Sequence, residues 1–141
     1  MRAAWQGVLA LQINVFNEAS GSPDYRIPDL TFVAAGRERI IARDGTRGGG
    51  PDALIEVRSP EDETYEKLPF FARIGVREVI VVHCDTKNVE IYRLAGPQYV
   101  ALQADSDRWL RSDVLGVRFT RTDAGCLLIE DVDDPASRTE I

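Results

Sequence analysis

The 141-residue chain is short of cysteine, lysine and histidine, and it has no long apolar run. Its two cysteines, Cys84 and Cys126, stand outside any CxxC spacing or dense framework, so a disulfide scaffold and a zinc ribbon are excluded. Two reduced thiols in a cytoplasmic protein is the economical expectation. No stretch approaches the roughly 18 apolar residues of a membrane span. The opening MRAAWQGVLALQ is interrupted by Gln6 and Gln12 and reads as mature protein. No glycine-rich phosphate loop follows a strand and opens a helix, which leaves nucleotide-dependent chemistry without support. Lys67 and Lys87 are the only lysines, so any step needing that side chain has two candidates.

The charge excludes more. Seventeen basic residues against 23 acidic ones give a net charge of −6, unlike domains that coat nucleic acid by electrostatics alone. A nuclease whose carboxylates gather at a metal stays compatible with that balance. Composition at 44% apolar and 28% charged excludes wholesale disorder and coiled coil. A chain of this length suits one domain over residues 1–141, burying roughly two thirds of its extended surface without metals or disulfides.

Patterning indicates strands and one helix. Leu9, Leu11, Ile13 and Val15 alternate as in a strand, with a helix open for the first half of that segment. GSPD at 21–24 is a turn cluster, Pro28 can open a strand, and Leu30 to Ala34 is rich in β-formers. RDGTRGGG at 43–50 predicts a long hairpin tip before ALIEV. In that second strand Asp52, Leu54, Glu56 and Arg58 share one face, and Ala53, Ile55 and Val57 the other. A helix is expected from Ser59 as N-cap and Pro60 through Leu68 and Phe71 to Gly75, with Pro69 predicting a kink or a later start. EVIVVHC and NVEIYRL read as strands about the turn TKN. Tyr99 to Gln103 and Cys126 to Ile129 are further strands, and the acidic end 130–141 is expected to fray.

Antiparallel pairing of 30–34 with 53–58 places Asp29 beside Glu56 and leaves Asp52 at the far end, about 13 Å along the strand. Two carboxylates with a backbone carbonyl suit a hard cation such as Mg²⁺. A second reading is open: Asp29 and Asp52 as turn residues of Pro-Asp pairs, with Glu56 paired to Arg58 or another arginine. Arg37, Arg39, Arg43 and Arg47 flank the glycine-rich tip and either contact phosphates or form a solvated loop. His83, Cys84 and Asp85 lack a zinc spacing and read as a packed strand end. Trp5, Tyr99 and Trp109 read as core or interface residues.

YRIPDLTFV, PDALIEVRSP, YEKLPFFARIGVREVIVV and VEIYRL, taken in that order, resemble the Uma-type restriction endonucleases, a branch of the PD-(D/E)XK nuclease superfamily. The resemblance covers about residues 24–95, which would form the core. It implies an α/β, restriction-endonuclease-like mixed sheet flanked by helices, here with N- and C-terminal β extensions. It also implies cleavage of DNA phosphodiesters with Mg²⁺ or Mn²⁺. Asp29 corresponds to the first-motif aspartate and Glu56 to the second acid. Asp29, Glu56 and the Val57 carbonyl would hold the metal, and Asp52 is the more distant acid. Arg58 stands where many relatives carry lysine, and it cannot act as a base at neutral pH. Lys67, from the following helix, would position the water, and Arg58 would support the scissile phosphate. Cutting both strands favours a homodimer. A non-catalytic module keeping the fold for interaction or regulation is the competing class, followed by a small-molecule hydrolase with a closed pocket.

Overall fold

The structure, a computed structural model, describes residues 6–18 and 24–141. Trp5 and most of the expected 21–24 turn lie outside these residues. Strands β1 (Gly7–Leu11), β4 (Leu30–Ala34), β7 (Ala53–Arg58), β8 (Glu78–His83), β9 (Val89–Ala95) and β10 (Gln98–Ala101) form a six-stranded sheet in the order β1-β4-β7-β8-β9-β10. Within this sheet only β7 and β8 pair in parallel. A parallel pair needs a crossover, and the segment 59–77 supplies it with α1 (Leu68–Arg73).

Two smaller sheets complete the fold. β2 (Val15–Asn17), β3 (Asp24–Arg26), β5 (Ile41–Ala42) and β6 (Gly45–Thr46) assemble in the order β3-β2-β6-β5. β11 (Leu110–Ser112), β12 (Val117–Arg121), β13 (Leu127–Asp131) and β14 (Asp134–Glu140) make an antiparallel meander. Gly45, at φ 144°, lets β6 approach Asn14 so closely that a Cβ there would lie 2.1 Å from the Asn14 carbonyl oxygen.

The central sheet buries both faces. On one, Leu54, Val79 and Val81 pack against Phe70 and Phe71 of α1, Val76 and Val15. On the other, Ile80 and Ile91 meet Leu110, Phe119 and Leu127 of the meander, with Ile55, Val82 and Val89 half-buried beside them. The strands β7 and β8 are nearly continuous in apolar residues because both faces are covered.

Four expectations change. Helices do not flank the mixed sheet: the described residues hold one α-helix of six residues, and a second sheet covers the other face. Pro69 acts by delaying α1, whose start at Leu68 puts the proline in the first turn, where its missing N–H is harmless. Ser59 is therefore no N-cap; it forms a turn with Asp62, and residues 65–67 make a 3-10 turn before α1. Residues 134–140, expected to fray, pair with β13 across a bulge. The first N-terminal segment is strand from Gly7, not helix, and it breaks at Gln12, whose φ is 49°.

Candidate metal and nuclease site

The antiparallel register sets Leu30 opposite Ile55, which brings Asp29 and Glu56 together just beyond the last paired residues. The two segments then bond reciprocally. The Asp29 N–H donates to Glu56 Oε1 at 3.1 Å, and the Val57 N–H donates to Asp29 Oδ2 at 2.7 Å. Lys67, ending the 3-10 turn, places Nζ 2.8 Å from Glu56 Oε2. Glu56 is only 3% exposed, so the ammonium balances a charge that has almost no water. Its partner is Lys67, not an arginine. These groups line an open cleft of about 430 Å³ whose rim carries Glu61, Asp62 and Glu63. The backbone N–H of Ser59 donates to Asp62 and holds that exposed carboxyl below its usual pKa.

The remaining predicted residues fall elsewhere. Asp52, at the opposite end of β7 and 2% exposed, accepts the Ala34 N–H at 2.7 Å and pairs with Arg37 at 2.9 Å. Arg37 also donates to the Gly50 carbonyl, and Arg39 to that of Gly36. Arg47 pairs with Asp44 and Glu18 and lies over the Phe16 ring, while Arg43 is exposed. Arg58 shares the Glu56 face; its guanidinium lies 4.8 Å from the Tyr65 ring centre, and its buried Nε has no partner among the described residues.

A polar cluster on that face escaped the sequence reading. Glu90 accepts from Tyr65 Oη at 2.7 Å and from Tyr92 Oη, and His83 Nε2 lies 2.5 Å from it. Burial alone raises the Glu90 pKa, but hydrogen bonds from Tyr92, His83 and Tyr65 outweigh it and leave the carboxyl below its usual value. Burial, reinforced by Glu90, raises the hydroxyl pKa of both Tyr65 and Tyr92. The alternation in NVEIYRL already put Glu90 and Tyr92 on one face. What local pattern lacked was the register that sets Val81 opposite both Glu56 and Glu90.

Among the described residues no group of three or more His, Cys, Asp or Glu is placed to hold a metal. Among the described residues the carboxylates available are Asp29 and Glu56, and Asp29 Oδ1 has no hydrogen-bond donor. That set fits Mg²⁺, which binds through one or two carboxylates and keeps several waters. It does not fit a closed structural zinc site.

A mixed sheet bringing Asp, Glu and Lys together at one end is the build of a nuclease-related protein. A model of the Uma2 family, described as putative restriction endonuclease, matches residues 8–124, and the chain belongs to that family. Among curated proteins no match to the chain is found. No helix among the described residues is long and apolar enough to cross a membrane.

Proposed function

We propose that this chain is a divalent-cation-dependent endonuclease that hydrolyses DNA phosphodiester bonds at the Asp29–Glu56–Lys67 cleft. The observation that carries the reading is the reciprocal bonding of Asp29, Glu56, Val57 and Lys67 across adjoining segments. A strand residue presents its N–H and C=O to the same edge. The Val57 carbonyl therefore shares an edge with Asp29, and Asp29, Glu56 and that carbonyl would hold Mg²⁺ or Mn²⁺. Such an ion activates water and offsets charge on a phosphodiester transition state. Lys67, anchored on Glu56, would donate to the attacking water and orient it. The Arg58 guanidinium, on the Glu56 face, would support the scissile phosphate. A two-fold dimer would present two clefts to a duplex.

Calorimetric titration with Mn²⁺, wild type against Glu56→Ala, followed by nicking of supercoiled plasmid, tests the reading. Binding and nicking that both vanish in the variant are expected. A folded wild type that binds no divalent ion and leaves the plasmid intact would overturn it. The acidic rim at Glu61, Asp62 and Glu63 favours one second reading, a nuclease-fold module without catalysis. That module would bind the cation and leave plasmid uncut.

A further inference from the structure

The central sheet has a second concavity, on its other face but at the same end as the cleft. Residues alternate along β9, so Glu90 and Tyr92 face the cleft side while Val89 and Ile91 face the meander. Between β9, the end of β10 and the meander lies a cavity of about 400 Å³, within the roughly 300–1,000 Å³ of small-molecule sites. Its apolar lining comes from Val89, Leu102, Leu110, Phe119 and Leu127.

The polar part of the wall is cationic and unspent. Arg108 and Arg121 both line the cavity, both are exposed, and among the described residues neither guanidinium has an ion pair or hydrogen-bond partner. Most arginines near the cleft and the glycine-rich tip are tied to acids or rings; these two are not. Arg108 also has φ 69°, a left-handed backbone that costs a non-glycine residue energy. Asp105 accepts the N–H groups of Asp107 and Trp109, and Thr120 Oγ1 donates to the Arg108 carbonyl, so the turn is held on both sides. The Asn88 side-chain amide and the Asp123 carboxylate, without partners among the described residues, add a donor and acceptors.

An apolar wall beside two free guanidiniums and a few base-edge partners suits a planar, mostly apolar body carrying one anion. We propose that this cavity binds a single nucleotide of a nucleic-acid strand, its base against the Phe119–Leu127 wall and its phosphate between Arg108 and Arg121. The choice of ligand rests on the nuclease reading above. The geometry adds a route, because a strand crossing the β8–β9 turn would meet the cleft on one side and this cavity on the other.

The test uses the full chain without divalent ions. Deoxynucleoside 5′-monophosphates, the unphosphorylated deoxynucleosides and inorganic phosphate are titrated in turn, following the Nε–H resonances of Arg108 and Arg121. The monophosphate should bind at least about tenfold more tightly than either part, and Arg108→Ala or Arg121→Ala should each cost about tenfold. A short single-stranded oligodeoxynucleotide should compete for the same resonances. Equal affinity for inorganic phosphate, no binding at all, no effect of either substitution, or failure of the oligonucleotide to compete would each overturn the proposal. The wild type itself separates the two readings. Nucleotide binding by a wild type that neither binds Mn²⁺ nor nicks plasmid sinks only the nuclease reading, and nicking without nucleotide binding sinks only this one.

Discussion

Lys67 is the residue on which the cleft's chemistry turns, since the other lysine, Lys87, sits in the β8–β9 turn away from the carboxylates. Lys67→Ala should leave Mn²⁺ affinity nearly unchanged in calorimetry while single-turnover cleavage falls by about 10²–10⁴-fold. It also strips a charged hydrogen bond from a buried carboxylate, so unfolding in urea should show a loss of about 1–3 kcal/mol. A substitution at Asp52, equally buried, should act on stability and leave Mn²⁺ affinity intact, because its partners are Ala34, Arg37 and Arg77. Glu90 contributes to the pH dependence. Its carboxyl is lowered on folding, so its stabilising effect is complete above the unfolded value of about 4.3 and is lost as the pH falls through the folded one. Glu90→Gln should accordingly flatten the fall in stability below about pH 4.3, measured by urea unfolding across that range.

At the level of elements, the strand β7 carried most of what could be read in advance. Period-two alternation put Leu54, Glu56 and Arg58 on one face, and pairing with Leu30–Ala34 put Asp29 next to Glu56; both hold in the structure. The position of Lys67 was set by resemblance, because no local rule says that a 3-10 turn will return its last residue to the sheet. Most of the missed elements have a physical cause, although β12 alternates Val117 and Phe119 with polar residues over five positions and was open to reading. β3, β5, β6 and β11 are two or three residues long and have too few positions to show a period, while β14 is polar and exposed and owes its order to pairing with β13. The helix was overextended because acidic residues 61–63 suit a helix start, yet Pro69 accepts only a first-turn position. Gly50 shows how the crossover is docked. A Cβ there would stand 2.5 Å from the Ile74 carbonyl oxygen at the end of α1. Gly50→Ala should cost about 1–3 kcal/mol by overpacking, seen as a lowered melting temperature with β7 still paired.

For the whole molecule, charge and cation have to be considered together. A chain with net charge −6 and an acidic rim about its cleft repels a phosphate backbone, and the arginines at the glycine-rich tip are largely engaged within the protein. Affinity for DNA should therefore depend on the cation far more than in a basic domain, whose contacts are lysines and arginines already in place. Two measurements follow from one titration. Ca²⁺, a hard cation that accepts the same oxygen donors, should raise the melting temperature of the wild type by mass action, about 2.7 kcal/mol at a hundredfold excess over its dissociation constant. It should leave that of Glu56→Gln unmoved. Fluorescence anisotropy with a labelled duplex should then show binding with Ca²⁺ that falls by an order of magnitude or more in EDTA, with a shallow dependence on salt because few phosphates are neutralised by side chains. Equal DNA binding in Ca²⁺ and EDTA would place the contact surface away from Asp29 and Glu56 and remove the cation from recognition.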